Sequence, residues 1–223
     1  RSCGNTLIRR LMPVELISSG SIAAPGEILL AHGAGVGSDS PFMVAMAEGL
    51  VDRGWRVHRF DFPYMARQRA TGRKVPPDRP EILFQAFRDA VDQLAATQPL
   101  FIGGKSMGGR LGTVLLDELV AAGQVRGGLC LGYPFHPLGR PQQVRTQHLA
   151  AMASPCLIVQ GERDAMGRRE EVEAYPLSDS VRLDWIPDGD HSFTPRKSSG
   201  RTEPMNWALA VERAHGFMDA LLG

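Results

Sequence analysis

The chain has 223 residues, 43% of them hydrophobic and 22% charged, with a formal net charge of +1. That length suits one α/β domain able to bury about 70–75% of the surface its unfolded chain exposes, and so even a charge balance gives no reason to expect a nucleic-acid partner. No apolar run approaches the roughly 18 residues of a membrane span and no signal-peptide core stands at the N-terminus, so no membrane association and a cytoplasmic location are expected.

Residues 1–11, with Arg1, Arg9 and Arg10, have no usable period and are expected to be poorly ordered, leaving 12–223 as one α/β domain. Val14–Ile17 reads as an edge strand and Ile28–Ala31 as a strand buried in a parallel sheet. Ser40-Pro41 pairs a cap residue with proline at the first helical position. The helix it opens runs through Met43, Met46, Ala47 and Leu50 and ends before Gly54. Trp55–Phe60 is the next strand, and residues 63–80 read as a long polar loop. A helix over 80–97 carries Leu83, Phe84, Phe87, Val91 and Leu94 on one face. A strand ending near Gly104 precedes a helix bearing Leu111, Val114, Leu115 and Leu119. Strands follow at 128–132, 156–160 and 181–186, and a helix over 204–222 closes the chain with Trp207, Val211, Ala214, Met218 and Leu221. Strands alternating with helices predict a mostly parallel central sheet covered on both faces. The interval from Tyr133 to Ser154 is too short for a multi-helix cap, which predicts a shallow, open site.

The densest chemical signal is Leu100-Phe101-Ile102-Gly103-Gly104-Lys105-Ser106-Met107-Gly108-Gly109. It is G-x-S-x-G in a strand-turn-helix context, the pattern that presents a serine hydroxyl on a strained turn. The following amide, on Met107, is free at a helix N-terminus to meet developing negative charge. Gly104-Lys105-Ser106 also matches the tail of a phosphate-binding loop, but that motif needs glycine at position 99, which is Pro99.

Partners for the serine follow at later strand ends. Asp164 lies in Gly161-Glu162-Arg163-Asp164 after one strand, and His191 in Asp188-Gly189-Asp190-His191 after the next. Upstream, Ile28–Ala31 runs into His32-Gly33-Ala34-Gly35, where a second oxyanion amide, that of Ala34, is expected. The expected roles are Ser106 as nucleophile, His191 as general base and then acid, and Asp164 as its orienting carboxylate. Asp188 and Asp190 compete with Asp164 for the last role, although turn chemistry accounts for Asp188-Gly189. His32 reads as a loop-shaping residue and His136 as a turn histidine. His58, His148 and His215 have no evident constellation. No cofactor and no metal are implied. Cys3, Cys130 and Cys156 are widely spaced and odd in number, which argues against a disulfide framework or a zinc site.

These segments resemble the α/β-hydrolase superfamily, in particular its small lidless branch near the dienelactone hydrolases, with serine in place of their cysteine nucleophile. The resemblance also runs through Ser40-Pro41-Phe42-Met43, Phe60-Asp61-Phe62-Pro63-Tyr64-Met65, Tyr133-Pro134-Phe135-His136-Pro137 and Asp190-His191-Ser192-Phe193. More narrowly it is similar to a group that includes testis-expressed Tex-type proteins and a scaffold subunit of a histone-acetyltransferase complex. It implies the α/β-hydrolase fold and a serine-hydrolase site acting on an ester or related acyl bond. The scaffold member keeps a second expectation open, a catalytically silent interaction module. The substrate expected is a small or extended acyl compound, neutral or anionic. Lys105 beside the serine, with Arg67, Arg69, Arg73, Lys74 and Arg79 in the 63–80 loop, motivates the anionic option; a solvated, mobile loop is the alternative account of them.

Overall fold

The computed structural model describes residues 14–94 and 96–223; the expectation for residues 1–11 lies outside these. Seven strands form one sheet: β1 (Leu16–Ser19), β2 (Glu27–Ala31), β3 (Arg56–Phe60), β4 (Leu100–Lys105), β5 (Gly127–Leu131), β6 (Cys156–Gly161) and β7 (Val181–Ile186). Their spatial order is β1-β3-β2-β4-β5-β6-β7, with β1 antiparallel to β3 and every other pairing parallel. The central strands are buried on both faces, so their residues sort by parity into two cores. Leu29, Ala31, Ile102, Cys130 and Ile158 face one side; Ile28, Leu30, Phe101, Leu129, Leu131, Leu157 and Val159 face the other. Each such Leu, Ile, Val or Phe contributes about 1.5–3 kcal/mol relative to exposure. This is why the strands read as continuous apolar runs rather than as alternation.

Helices α1 (Pro41–Val51) and α7 (Glu203–Asp219) cover the second face. Ser40 caps α1 by accepting from the Met43 amide at 3.5 Å, and Thr202 caps α7 by accepting from Met205 at 3.4 Å. Gly49 lets the two helices meet, since a Cβ there would lie 2.8 Å from a Val211 methyl. On the first face lie α3 (Pro80–Leu94) and α4 (Met107–Ala121), α3 burying Leu83, Phe87, Ala90 and Val91. Within α4, Leu111, Leu115 and Leu119 are buried while Val114, expected on the same face, is 38% exposed.

The expected loop over 63–80 is half helical. α2 (Pro63–Thr71) opens on proline and closes on Gly72 in the left-handed conformation, φ 65°. Only Tyr64 and Met65 of α2 are buried, so no apolar stripe announced it. Between β5 and β6 there is one short helix, α5 (Gln147–Ala150), and no multi-helix cap; α6 (Arg169–Val172) follows β6. Among the described residues no helix is long and apolar enough to cross a membrane.

Candidate active site

Ser106 sits between β4 and α4 at φ 51° and ψ −112°. These are the angles of the first central position of a type II′ turn, which favours glycine, so a serine there is strained. The flanking glycines are dictated by space. A Cβ on Gly104 would lie 2.1 Å from the Ala31 carbonyl oxygen, and one on Gly108 would lie 2.4 Å from the same oxygen. The elbow therefore rests directly on the end of β2, which leads into His32-Gly33-Ala34. Neither the Met107 nor the Ala34 amide donates a hydrogen bond among the described residues. For Met107 this follows from its place as the first residue of α4.

The three side chains expected from separate strand ends come together. The Ser106 hydroxyl lies 2.8 Å from His191 Nε2, and His191 Nδ1 lies 2.7 Å from Asp164 Oδ2. An ionised carboxylate only accepts, so Nδ1 carries the proton and Nε2 is left to accept from the serine. Asp164 is fully buried, whereas the His191 side chain is 26% exposed and Ser106 half-buried. Solvent thus reaches the front of the chain of hydrogen bonds but not its back. Asp188 and Asp190 are engaged elsewhere: Asp188 pairs with Arg163 and Arg196, and Asp190 accepts from the Ser192 and Thr194 amides.

Two supporting residues were not legible in the sequence. Gln160, fully buried in β6, donates from Nε2 to Asp164 Oδ2 at 2.9 Å, while its Oε1 accepts from the Tyr133 amide at 2.7 Å. With the Met166 amide on Oδ1 at 2.8 Å, it fixes the carboxylate plane. Tyr64 of α2 donates its phenol hydrogen toward the carbonyls of Ala34 and Gly33, at 3.0 and 3.4 Å. His32 completes that loop as expected. Its Nε2 accepts from the Phe62 amide at 3.0 Å and its Nδ1 donates to the Gly33 carbonyl at 2.6 Å, with burial holding its pKa below the ordinary histidine value. His136 is a buried loop residue, Nδ1 to the Pro137 carbonyl at 2.9 Å. His58 does have company: it sits between Ser18 Oγ at 2.8 Å and Glu27 Oε2 at 2.7 Å. Ser18 belongs to a regular edge strand rather than a strained turn, so this trio closes the sheet edge instead of presenting a nucleophile.

The basic residues need correction. Lys105 is 6% exposed and its Nζ donates to the His191 carbonyl at 2.5 Å, so it supports the histidine loop rather than facing incoming anions. Arg67 pairs with Asp78, and Arg69 with Asp39 and Asp61. Those two arginines are neutralised within the protein and lie on a helix, not a mobile loop.

Several solved structures share this architecture. A dienelactone hydrolase from Anabaena variabilis superposes with a TM-score of 0.70 at 22% identity, over 94% of this chain and 93% of its own. An alpha-beta serine hydrolase homologue from Coxiella burnetii gives 0.68 at 18%, over 90% and 91%. A serine hydrolase without lid from Xanthomonas campestris gives 0.63 at 18%, over 93% and 89%. The family model described as alpha/beta hydrolase domain matches residues 24–219, a span that takes in every strand from β2 to β7 and ends with α7. By that match the chain belongs to the α/β-hydrolase family, and its sheet carries no multi-helix cap between β5 and β6.

Proposed function

We propose that this hydrolase cleaves a carboxylic ester or related acyl bond through a covalent intermediate on Ser106. The observation that carries the reading is the unbroken run from Ser106 Oγ through His191 to Asp164, with contacts of 2.8 and 2.7 Å. Ser106 Oγ attacks the acyl carbon as His191 Nε2 takes its proton. The imidazolium so formed is stabilised by Asp164, and the oxyanion by the amides of Met107 and Ala34. Collapse expels the alcohol, which leaves with the Nε2 proton, and the acyl group remains on Oγ. Water then enters from the open face and adds to the acyl carbon as Nε2 takes its proton; collapse breaks the bond to Oγ, which recovers that proton from Nε2 as the acid leaves. One oxyanion donor is worth about 2.7–4 kcal/mol in such reactions. A fluorophosphonate probe tests the reading: mass spectrometry should find the adduct on Ser106, and His191→Ala should lose it. Absence of labelling in folded protein would favour the silent interaction module.

Tyr64 supplies a quieter test of the oxyanion loop. Tyr64→Phe deletes the donor to the Ala34 carbonyl at a cost of about 1 kcal/mol of stability. If Ala34 serves the transition state, kcat should fall by roughly tenfold with KM little changed. A rise in KM at constant kcat would instead place the loop in ground-state binding.

A further inference from the structure

At the active-site end of the sheet Arg67, Arg69, Arg163, Arg169 and Arg196 have carboxylate partners, while Arg59 at the end of β3 has none and donates to the Ser38 carbonyl. Arg110 and Arg145 differ. Among the described residues neither is ion-paired, and the undescribed ones, 1–13 and 95, include no Asp or Glu that could serve. Arg110 Nε is moreover buried without any hydrogen-bond acceptor, a costly condition for a charged donor.

Both flank the same corner. Arg110 lies one turn into α4, its amide bonded to the Ser106 carbonyl at 2.9 Å. Its own carbonyl accepts from Thr113 Oγ1 at 2.8 Å, and that hydroxyl also meets His148 Nε2 at 3.0 Å. From the other side, Tyr133 donates to the Arg145 carbonyl at 2.7 Å, and its ring lies 6.3 Å from that of His148. The residue before Tyr133, Gly132, abuts the His191 backbone: a Cβ there would be 2.7 Å from the His191 carbonyl. The two guanidiniums are close enough that Arg110, after burial, helps hold Arg145 below its usual pKa, and His148 is pushed down to about 4 in the same way. At neutral pH His148 is therefore uncharged, and two like charges share a half-buried corner; Asp117, whose charge also reaches His148, accepts from the Ala153 and Ser154 amides and pairs with neither arginine.

We infer that Arg110 and Arg145 form an anion subsite of the active site, so that the ester cleaved carries a carboxylate or phosphate group on one side of its scissile bond. The inference rests on the serine-hydrolase reading. It differs from the anionic option read from the sequence, which relied on Lys105 and the 63–80 segment. A planar guanidinium fork grips such oxyanions with two parallel hydrogen bonds, and a buried Nε is the donor an anion would satisfy.

The test compares kcat/KM for matched esters: 4-nitrophenyl hydrogen adipate against 4-nitrophenyl hexanoate, and 4-carboxyphenyl hexanoate against its methyl ester. The first pair puts the anion on the acyl side, the second on the leaving group. Wild type should favour the anionic member of one pair by about 10–100-fold. Arg110→Gln and Arg145→Gln should each bring that ratio towards unity; a ratio cancels any general loss of active enzyme. A wild-type ratio near one in both pairs, or a preference that survives both substitutions, overturns the subsite. If the fluorophosphonate probe fails to label Ser106, the hydrolase reading falls instead. Calorimetric titration with adipate and with propyl phosphate then decides on the subsite alone. Heat from either that Arg145→Gln abolishes upholds it and identifies the anion, and no heat from both removes it.

Discussion

Ser106→Ala should lower kcat on any ester the wild type accepts by roughly a million-fold, the loss seen when the nucleophile is removed from a serine enzyme. The reason lies in how the hydroxyl is held. It lies 2.8 Å from His191 Nε2, whose other ring nitrogen meets the fully buried Asp164 carboxylate at 2.7 Å, and on the proposed mechanism Oγ is the atom that takes up the acyl group. Stability separates this from unfolding. Alanine keeps a Cβ at φ 51° and ψ −112° and so keeps the strain, whereas glycine removes it. Ser106→Gly should therefore be about 1 kcal/mol more stable than Ser106→Ala, less the entropy glycine adds to the unfolded chain. Turnover with an activated ester and urea melts of the three proteins check both statements. An alanine variant within tenfold of wild type would mean that another group forms the acyl intermediate.

The strands and the elbow were legible for one physical reason. A parallel strand buried on both faces has to be apolar throughout, and the turn that leaves it must use glycine where backbone approaches backbone. Gly104, Gly108 and Gly161 are such places; a Cβ on Gly161 would lie 2.2 Å from the Asp190 carbonyl oxygen. The order of serine, acid and histidine then followed from which loops stand at the carboxyl ends of β4, β6 and β7. Helix α2 escaped because its stability comes from termini and ion pairs rather than a stripe. Pro63 and Gly72 mark its ends, but Arg69 is held by Asp61, just ahead of the helix, and by Asp39, 30 residues back in the sequence. A reading by periodicity cannot see that pairing, so it left Arg69 open between an anion contact and a mobile loop.

The residues that hold the site in place were hidden for a related reason. Gln160 stands in a strand run where any residue would be buried, and only the fold reveals that its amide spans Tyr133 and Asp164. Arg110 is helical and close to the serine, yet its lack of a carboxylate is a property of the whole molecule. Sequence pattern reports what a segment does with its own neighbours; these residues act between segments.

Lys105 provides the second large effect, in stability against pH. It is buried beside the Phe42 ring, 5.4 Å from its Nζ, and desolvation lowers its pKa from 10.5 to about 8, against the pull of Asp164. The unfolded chain keeps this proton up to about pH 10.5, while the folded protein releases it near 8. Between those values the unfolded state binds more protons, so this group makes stability rise with pH, by up to about 3 kcal/mol over the whole window. Below pH 8 both states are protonated and the cost of burying the charge is constant. The buried thiols of Cys130 and Cys156 act in the opposite direction above pH 9, their pKa values being raised by burial from 9.0, that of Cys156 to about 12. The lysine is therefore read as a difference: urea melts across pH 7 to 10.5 should show wild type gaining on Lys105→Met as pH rises. Parallel curves for the two proteins would show that the ammonium is hydrated after all. The methionine also removes the donor to the His191 carbonyl, but Trp207 Nε1 still holds the Ser192 carbonyl at 3.0 Å and Asn206 Nδ2 that of Phe193 at 2.7 Å. Its turnover should accordingly fall by roughly tenfold, the scale of one lost charged hydrogen bond, rather than by the factor that follows loss of the nucleophile.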